Sequence, residues 1–168
     1  FRSAEALETA GKLRTIVLDK TGTLTRGQPE VTQFERLSGG ALPADTLLAL
    51  TAALESRSEH PLAEAIVAYA ISQLGSGDLP AVTDFEAVAG RGVQGVIDGQ
   101  QVRVGTPRWF PELGIDTADL QPLVERLEAL ACSVAAVVVD GRIEACFGVA
   151  DPLKPSSAAA VAALRRLG

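Results

Sequence analysis

The feature that most constrains the fold is a short apolar run near the start of the chain, "LRTIVLD" (13–19), which ends on a carboxylate. The run is brief and rich in β-branched residues, which is typical of a strand buried on both faces of a parallel sheet. Parallel strands need helical crossovers, so the run predicts an α/β arrangement. Ligands of open α/β sheets gather beyond the carboxyl ends of the strands. Asp19 is therefore predicted to lie where a ligand would bind.

The residues that follow Asp19, "KTGTLT", suit contact with a phosphate group. A carboxylate at this place can hold Mg²⁺, or it can attack phosphorus and form an acyl phosphate. Thr21, Gly22 and Thr23 add hydroxyls and open backbone that can contact phosphate oxygens. The alternative is an aspartate that caps a turn made of ordinary Thr and Gly chemistry. The residue types alone leave both interpretations open.

The middle of the chain has a different pattern from its two ends. Leucine spacing predicts amphipathic helices in its first part, and short alternating runs with glycine turns predict antiparallel hairpins after residue 82. The predicted elements are a strand at 30–37, helices at 43–56, 61–74 and 117–131, hairpins around Asp98-Gly99 and Asp140-Gly141, and a last helix capped near Ser156 and closed by Gly168.

This order predicts one domain inserted into another. The fold class is α/β: an antiparallel sheet with flanking helices, 30–146, is inserted into an incomplete parallel α/β domain. The outer domain is assigned residues 1–29 and 147–168. With no initiator Met in "FRSAEALE" and a helix end in "AALRRLG", the chain is expected to be a piece of something longer.

Composition excludes several classes of function. The net charge of −6 argues against a nucleic-acid partner, which would need a basic face. Cys132 and Cys146 stand far apart and imply neither a metal knuckle nor a disulfide framework. The longest apolar run, "AACSVAAVVV", is ended by Asp140 well short of the roughly 20 residues that span a bilayer. The chain is thus expected to be soluble and not to enter a membrane by itself.

The string "DKTGTLT" (19–25) is identified as the phosphorylation motif of P-type ATPases, ion pumps of the haloacid-dehalogenase superfamily. The resemblance implies that Asp19 accepts the γ-phosphoryl group of ATP, with Mg²⁺ held by the Asp19 carboxylate and the Thr21 carbonyl. Phosphatases of the superfamily carry a second Asp where this chain has Thr21. A threonine there has no proton to relay, so the aspartyl phosphate is expected to persist.

The segment "SEHPLAEAIV" (58–67) resembles heavy-metal-transporting P-type ATPases of the copper-exporting kind. The resemblance implies that His60 lies against the adenine of ATP and that Glu55 contacts the same base. An imidazole can stack on a purine, and Pro61 restricts the backbone of His60. The alternative is that His60 only caps the helix that follows it.

Three glycines complete the nucleotide site that the resemblance implies. Gly90 and Gly92, in "AGRGVQG", are expected to line the pocket because side chains would block close approach. Gly105 fits a position where the family commonly has Gly-Asn, whereas Thr106 departs from it and loses the amide. Asp151, in "VADPLKPSS", is expected near the hinge and the phosphate cleft, or else in a plain turn before a helix.

Several family motifs are missing from the sequence, including Thr-Gly-Asp, Gly-Asp-Gly-x-Asn-Asp, the actuator Thr-Gly-Glu and the membrane Cys-Pro-Cys. The resemblance therefore implies a cytosolic ATP-binding region whose partners are the actuator and transmembrane domains of the same pump. The isolated chain is expected to bind ATP without turnover and to leave the loop after Asp19 poorly organised. Copper(I) is the favoured metal; zinc or cadmium transport, a soluble phosphatase and a non-catalytic nucleotide-binding module remain alternatives.

Overall fold

A computed structural model of the protein describes residues 15–75 and 78–166. The chain divides into two compact units, with boundaries after Gln28 and after Ala150. We call Pro29–Ala150 the sheet unit, and the residues before and after it the loop unit. The sequence analysis ended the inserted segment at 146, whereas the last strand of the sheet unit continues to Ala150.

The sheet unit contains one six-stranded antiparallel sheet, as the alternating runs predicted. Its spatial order is β1-β6-β5-β4-β3-β2. The strands are β1 Glu30–Arg36, β2 Val82–Val88, β3 Gly92–Ile97, β4 Gln100–Gly105, β5 Ser133–Val139 and β6 Arg142–Ala150.

The two hairpins predicted from Asp-Gly pairs are present. Asp98 and Gly99 join β3 to β4, and Asp140 and Gly141 join β5 to β6. All four residues have positive φ angles, between 47° and 80°. Tight hairpin turns of type I′ require this conformation at both central positions, and Asp-Gly tolerates it well.

Helices cover both faces of the sheet. Helices α1 (Ala44–Glu55) and α2 (Pro61–Leu74) pack on one face, and a 3₁₀ helix (Pro107–Leu113) and α3 (Gln121–Ala129) contribute to a second apolar cluster. Along β5, Val137 belongs to the first cluster and Val138 to the second. Since successive strand residues face opposite sides, both faces of β5 are buried, which explains its unbroken apolar sequence.

Helix α3 is shorter than the predicted 117–131. It begins at Gln121, and Pro122 follows at once. A proline is accommodated in the first turn of a helix but not further inside, so the residues before Gln121 form turns instead.

The strand predicted at 13–19 is not a buried strand in the described part of the chain. Residues 15–19 belong to no strand, and Ile16, Val17 and Leu18 are 51%, 92% and 39% exposed. No described strand pairs with this segment, so no strand in the described part of the chain covers its apolar side chains. Residues 13 and 14 lie outside the described residues, as does Gly168 at the expected end of the last helix, α4 (Ser157–Arg166).

In the described ranges, every helix is too short or too polar to cross a bilayer.

Candidate functional site

Glu55 is the last residue of α1, and it is buried although its side chain is ionisable. Its exposed fraction is 7%, and burial raises the pKa of its carboxyl group from 4.5 to about 7. Within the described part of the chain, no hydrogen bond or ion pair engages this carboxyl group. No fully buried side-chain oxygen in the described residues lacks a partner, so the Glu55 oxygens keep some contact with solvent. Ionisable groups with shifted pKa values concentrate at binding sites.

His60 is exposed and caps α2. Its Nδ1 accepts a hydrogen bond from the backbone N–H of Leu62 at 3.2 Å, and Pro61 occupies the first helical position. The accepting Nδ1 carries no hydrogen, so the ring hydrogen of the neutral imidazole lies on Nε2. The capping alternative is therefore what the structure contains. The cap also fixes the direction of the exposed ring, so it is compatible with the adenine contact, which stays a prediction.

Glu55 ends α1 and His60 directly precedes α2, so the two residues lie at opposite ends of the short connection between these helices. One further contact joins this end of α1 to the sheet. A Cβ built on Gly95 in β3 would lie 3.0 Å from Cδ1 of Leu54, the residue before Glu55. Gly95 thus allows α1 to approach β3 closely at the residue before Glu55.

The three glycines assigned to the nucleotide pocket do not have one common reason for being glycine. Gly92 and Gly105 face each other across β3 and β4. A Cβ on Gly92 would lie 2.1 Å from the carbonyl oxygen of Val104, and a Cβ on Gly105 would lie 2.5 Å from that of Arg91. Strand pairing alone therefore excludes side chains at both positions.

Gly90 is different, because the space where its Cβ would lie is open for 4 Å. Its φ of +69° alone explains the preference for glycine. It precedes β3 in the β2–β3 turn, where Arg91 forms an exposed ion pair with Glu112 at 2.8 Å. A role of Gly90, Gly92 and Gly105 in nucleotide binding remains a prediction for all three.

Asp19 and Thr21 are exposed, in the loop unit. Asp19 directly precedes an irregular turn, Lys20–Leu24, which contains Thr21 and in which Gly22 has a φ of +76°. The loop was expected to be poorly organised, but it is held by hydrogen bonds. The Thr25 hydroxyl lies 2.5 Å from Oδ2 of Asp151, and the backbone N–H of Gly27 donates to Oδ1 of Asp151 at 2.9 Å.

The sequence placed Asp151 near the phosphate cleft or in a turn, but it did not reveal Thr25, the hydrogen-bond partner of the Asp151 carboxylate. The Thr25 hydroxyl, together with the Gly27 and Gln28 amides and Lys20, holds the pKa of the Asp151 carboxyl group below its usual value. Thr25 and Asp151 lie 126 residues apart, so no local pattern could have paired them.

The oxygen atoms at Asp19 and Thr21 match the preference of Mg²⁺ for hard oxygen ligands. They supply only part of a coordination shell. In residues 15–75 and 78–166, no group of three or more His, Cys, Asp and Glu side chains is placed to hold a metal ion. The donor chemistry fits Mg²⁺ shared with phosphate oxygens and water, which is how this ion is usually bound beside nucleotides.

An open cavity of about 500 Å³ lies elsewhere in the sheet unit. It is lined by Leu37, Gly39, Asp116, Asp119, Gly141, Arg142 and Ile143. None of the predicted site residues contributes to it.

Comparison with known proteins gives consistent results. The model of the haloacid dehalogenase-like hydrolase family matches residues 13–168. The probable copper-transporting ATPase PacS of Synechococcus elongatus is 51% identical over all 168 residues, which cover 22% of that protein. The chain thus spans about a fifth of the length of the curated relatives it matches.

Two solved structures of P-type ATPases are also similar to the chain. A zinc-transporting PIB-type ATPase in its E2·Pi state has a TM-score of 0.79 and 30% identity, covering 97% of this chain and 26% of that one. The N-domain of HMA8, a copper-transporting P-type ATPase, has a TM-score of 0.54 and 27% identity, covering 70% of this chain and 97% of that one.

Proposed function

Since the chain belongs to the haloacid dehalogenase-like hydrolases and corresponds to the cytosolic ATP-binding region of copper-transporting P-type ATPases, we propose that it binds ATP for such a pump and carries its phosphorylated aspartate. The observation that carries the proposal is the 51% identity to a copper-transporting relative over the whole chain, which includes the string 19–25. The sheet unit would be the nucleotide-binding domain, and the loop unit would be part of the phosphorylation domain.

Base recognition is assigned to the α1–α2 connection. The His60 ring would stack on adenine, since its cap leaves an exposed ring with a fixed direction. The Glu55 carboxyl group would accept a hydrogen bond from the exocyclic amine. The burial of this side chain without a protein partner supports the assignment. Gly90, Gly92 and Gly105 would let the nucleotide approach the backbone at the adjoining end of β3 and β4.

Phosphoryl transfer is assigned to Asp19. The exposed carboxylate would attack the γ-phosphorus of ATP, forming an acyl phosphate as the bond to ADP breaks. The Asp19 carboxylate and the Thr21 carbonyl would hold Mg²⁺, which neutralises charge between an anionic nucleophile and an anionic phosphate. Thr21 offers no acidic proton, which favours a lasting acyl phosphate over the immediate hydrolysis of a phosphatase.

The transported ion is proposed to be copper(I), at the cytoplasmic face of a membrane. The first relatives are named as copper-transporting, and their printed names support the assignment. A zinc-transporting structure is also similar, which keeps zinc as the second candidate. Copper-dependent against zinc-dependent ATPase activity of the intact pump would separate the two metals. The actuator and transmembrane domains of that pump would be the partners of this chain.

The test of the phosphoryl step uses the intact pump, γ-labelled ATP and an acid quench. We expect acid-stable, hydroxylamine-sensitive label that Asp19→Asn abolishes, because an amide cannot form the acyl phosphate. The same variant should keep its ATP affinity in titration calorimetry. Continuous phosphate release without any trapped label would point to a phosphatase instead. Label that survives in Asp19→Asn would place the acceptor elsewhere.

A further inference from the structure

The loop that follows Asp19 is shaped by one buried hydroxyl group. Thr25 is 2% exposed, and its Oγ1 accepts a hydrogen bond from the backbone N–H of Gly22 at 3.1 Å. The same oxygen lies 3.1 Å from the carbonyl oxygen of Lys20 and 2.5 Å from Oδ2 of Asp151. A hydroxyl has one proton to donate, and the shorter contact, to a carboxylate, is the stronger one. Thr25 thus connects Asp151 to the glycine of the turn.

Asp151 uses both of its oxygens on this loop. Oδ2 receives the Thr25 hydroxyl, and Oδ1 receives the backbone N–H of Gly27. Only an ionised carboxylate can accept at both oxygens without carrying a proton of its own. One side chain therefore fixes the loop at two points, two residues apart.

The residues after Asp151 complete the hold on the loop. Nζ of Lys154 donates to the carbonyl of Gly22 at 2.5 Å. The backbone N–H of Lys154 donates to the carbonyl of Leu24 at 2.9 Å. The Ser157 hydroxyl donates to the same Leu24 carbonyl at 2.6 Å. The loop is thus restrained at Gly22 and Leu24, directly after Thr21.

We propose that Asp151, acting through Thr25, is a positioning residue that holds the loop after Asp19 in the geometry needed for phosphoryl transfer. The inference rests on the proposed function and adds a residue to it that touches neither nucleotide nor phosphate. Its chemical role is orientation: through Thr25 it directs the Gly22 backbone and, with Lys154, it restrains the turn that contains Thr21. Reactions of this kind lose about 10²-fold in rate when a group is displaced by about 1 Å.

The first test measures phosphoenzyme formation by the intact pump over a range of ATP concentrations. Thr25→Val keeps the shape of the side chain and removes the hydroxyl, whereas Thr25→Ser keeps the hydroxyl. We expect Thr25→Val and Asp151→Asn to lower the maximal labelling rate at least about tenfold at an unchanged half-saturating ATP concentration. Thr25→Ser should retain at least about half of the rate. Thr83→Val, on the edge strand β2, is the matched control.

A merely structural role predicts a different result. It would reduce the amount of folded pump, but each folded molecule would label at the normal rate, and serine would not rescue it selectively. Wild-type rates in both Thr25→Val and Asp151→Asn would overturn the proposal. If the wild-type pump itself failed to label, the proposed function would fall instead.

The second test needs no activity. Amide exchange of this chain, followed by NMR, reports the backbone N–H groups of Gly22 and Gly27 directly. We expect exchange of the Gly22 amide to accelerate in Thr25→Val and exchange of the Gly27 amide to accelerate in Asp151→Ala. In Thr25→Ser, both amides should exchange at rates close to wild type. Unchanged exchange at both amides would overturn the proposal whatever the labelling experiment gives.

Discussion

The two regions assigned to ATP chemistry are stabilised by different forces. Around Glu55, the supporting residues are apolar and fully buried: Leu54 is 0% and Ile66 is 1% exposed. Around Asp19, the apolar side chains are exposed, with Val17 at 92%, and hydrogen bonds to Thr25 and Asp151 give the loop its shape. The region proposed to bind the base is therefore preformed by its own core, whereas the loop proposed to carry the phosphoryl group depends on a few polar contacts.

The carboxyl groups of the two regions show the same contrast. Burial raises the pKa of Glu55 to about 7, whereas hydrogen bonds from Thr25 and Gly27 lower the pKa of Asp151. The Glu55 carboxyl group therefore changes its charge near neutral pH. The Asp151 carboxyl group does so only in acid, below the usual range for an aspartate. One site can thus respond to mild changes of pH while the other stays ionised.

The largest expected effect is that of Gly92→Val on the sheet unit. Its Cβ would lie 2.1 Å from the Val104 carbonyl oxygen and 2.5 Å from Cα of Gly105, which are backbone atoms of the paired strand β4. We expect a loss of roughly 4 kcal/mol in the free energy of unfolding, measured by urea denaturation. ATP binding would then be lost because the strand pair is lost, and not through a selective block of the pocket.

Gly90→Ala is the matched control, because the space at its Cβ is open and only its φ of +69° resists the change. It should cost about 1–2 kcal/mol. Equal stability of Gly92→Val and wild type would show that β3 and β4 do not approach as closely as described. A folded Gly90→Ala with wild-type ATP affinity would remove Gly90 from the nucleotide site.

Sequence reasoning succeeded where local chemistry decides the structure. The Asp-Gly pairs at 98–99 and 140–141 specify hairpins by themselves, and Pro61 marks the start of α2. It failed where distant residues decide. Burial of 15–19 depends on neighbouring strands that no described residues provide, and the pairing of Gly92 with Gly105 depends on strand register. The Thr25–Asp151 contact links residues on either side of the sheet unit in sequence.

The second prediction uses pH to sharpen the contrast between the carboxyl groups. The folded chain keeps Glu55 protonated up to about pH 7, whereas the unfolded chain ionises near pH 4.5. The unfolded state thus binds fewer protons in this window, so the contribution of Glu55 to stability is present below pH 4.5 and is lost as pH rises through 7. We expect a loss of up to about 3 kcal/mol, which Glu55→Gln should remove.

Glu59→Gln is the matched control, since Glu59 is exposed. Urea denaturation at several pH values would give the two free-energy profiles relative to wild type. The Glu55→Gln profile should diverge from wild type between pH 4.5 and 7, and the Glu59→Gln profile should stay parallel. Parallel profiles for both would mean that Glu55 ionises as it does in water and is not buried in the folded protein.

The smallest expected effect separates the two roles of His60. Asparagine is a good N-cap, so His60→Asn keeps a hydrogen bond to the Leu62 amide and removes the ring. We expect unchanged stability and a loss of roughly 1–2 kcal/mol in ATP affinity by titration calorimetry, the scale of one lost stacking contact. His60→Phe makes the opposite change: it keeps a flat ring and loses the cap, so it should bind ATP better than His60→Asn while costing about 1 kcal/mol of stability. If both variants bound ATP as tightly as wild type, His60 would be a helix cap and nothing more, and base recognition would have to come from Glu55 and the glycine turn.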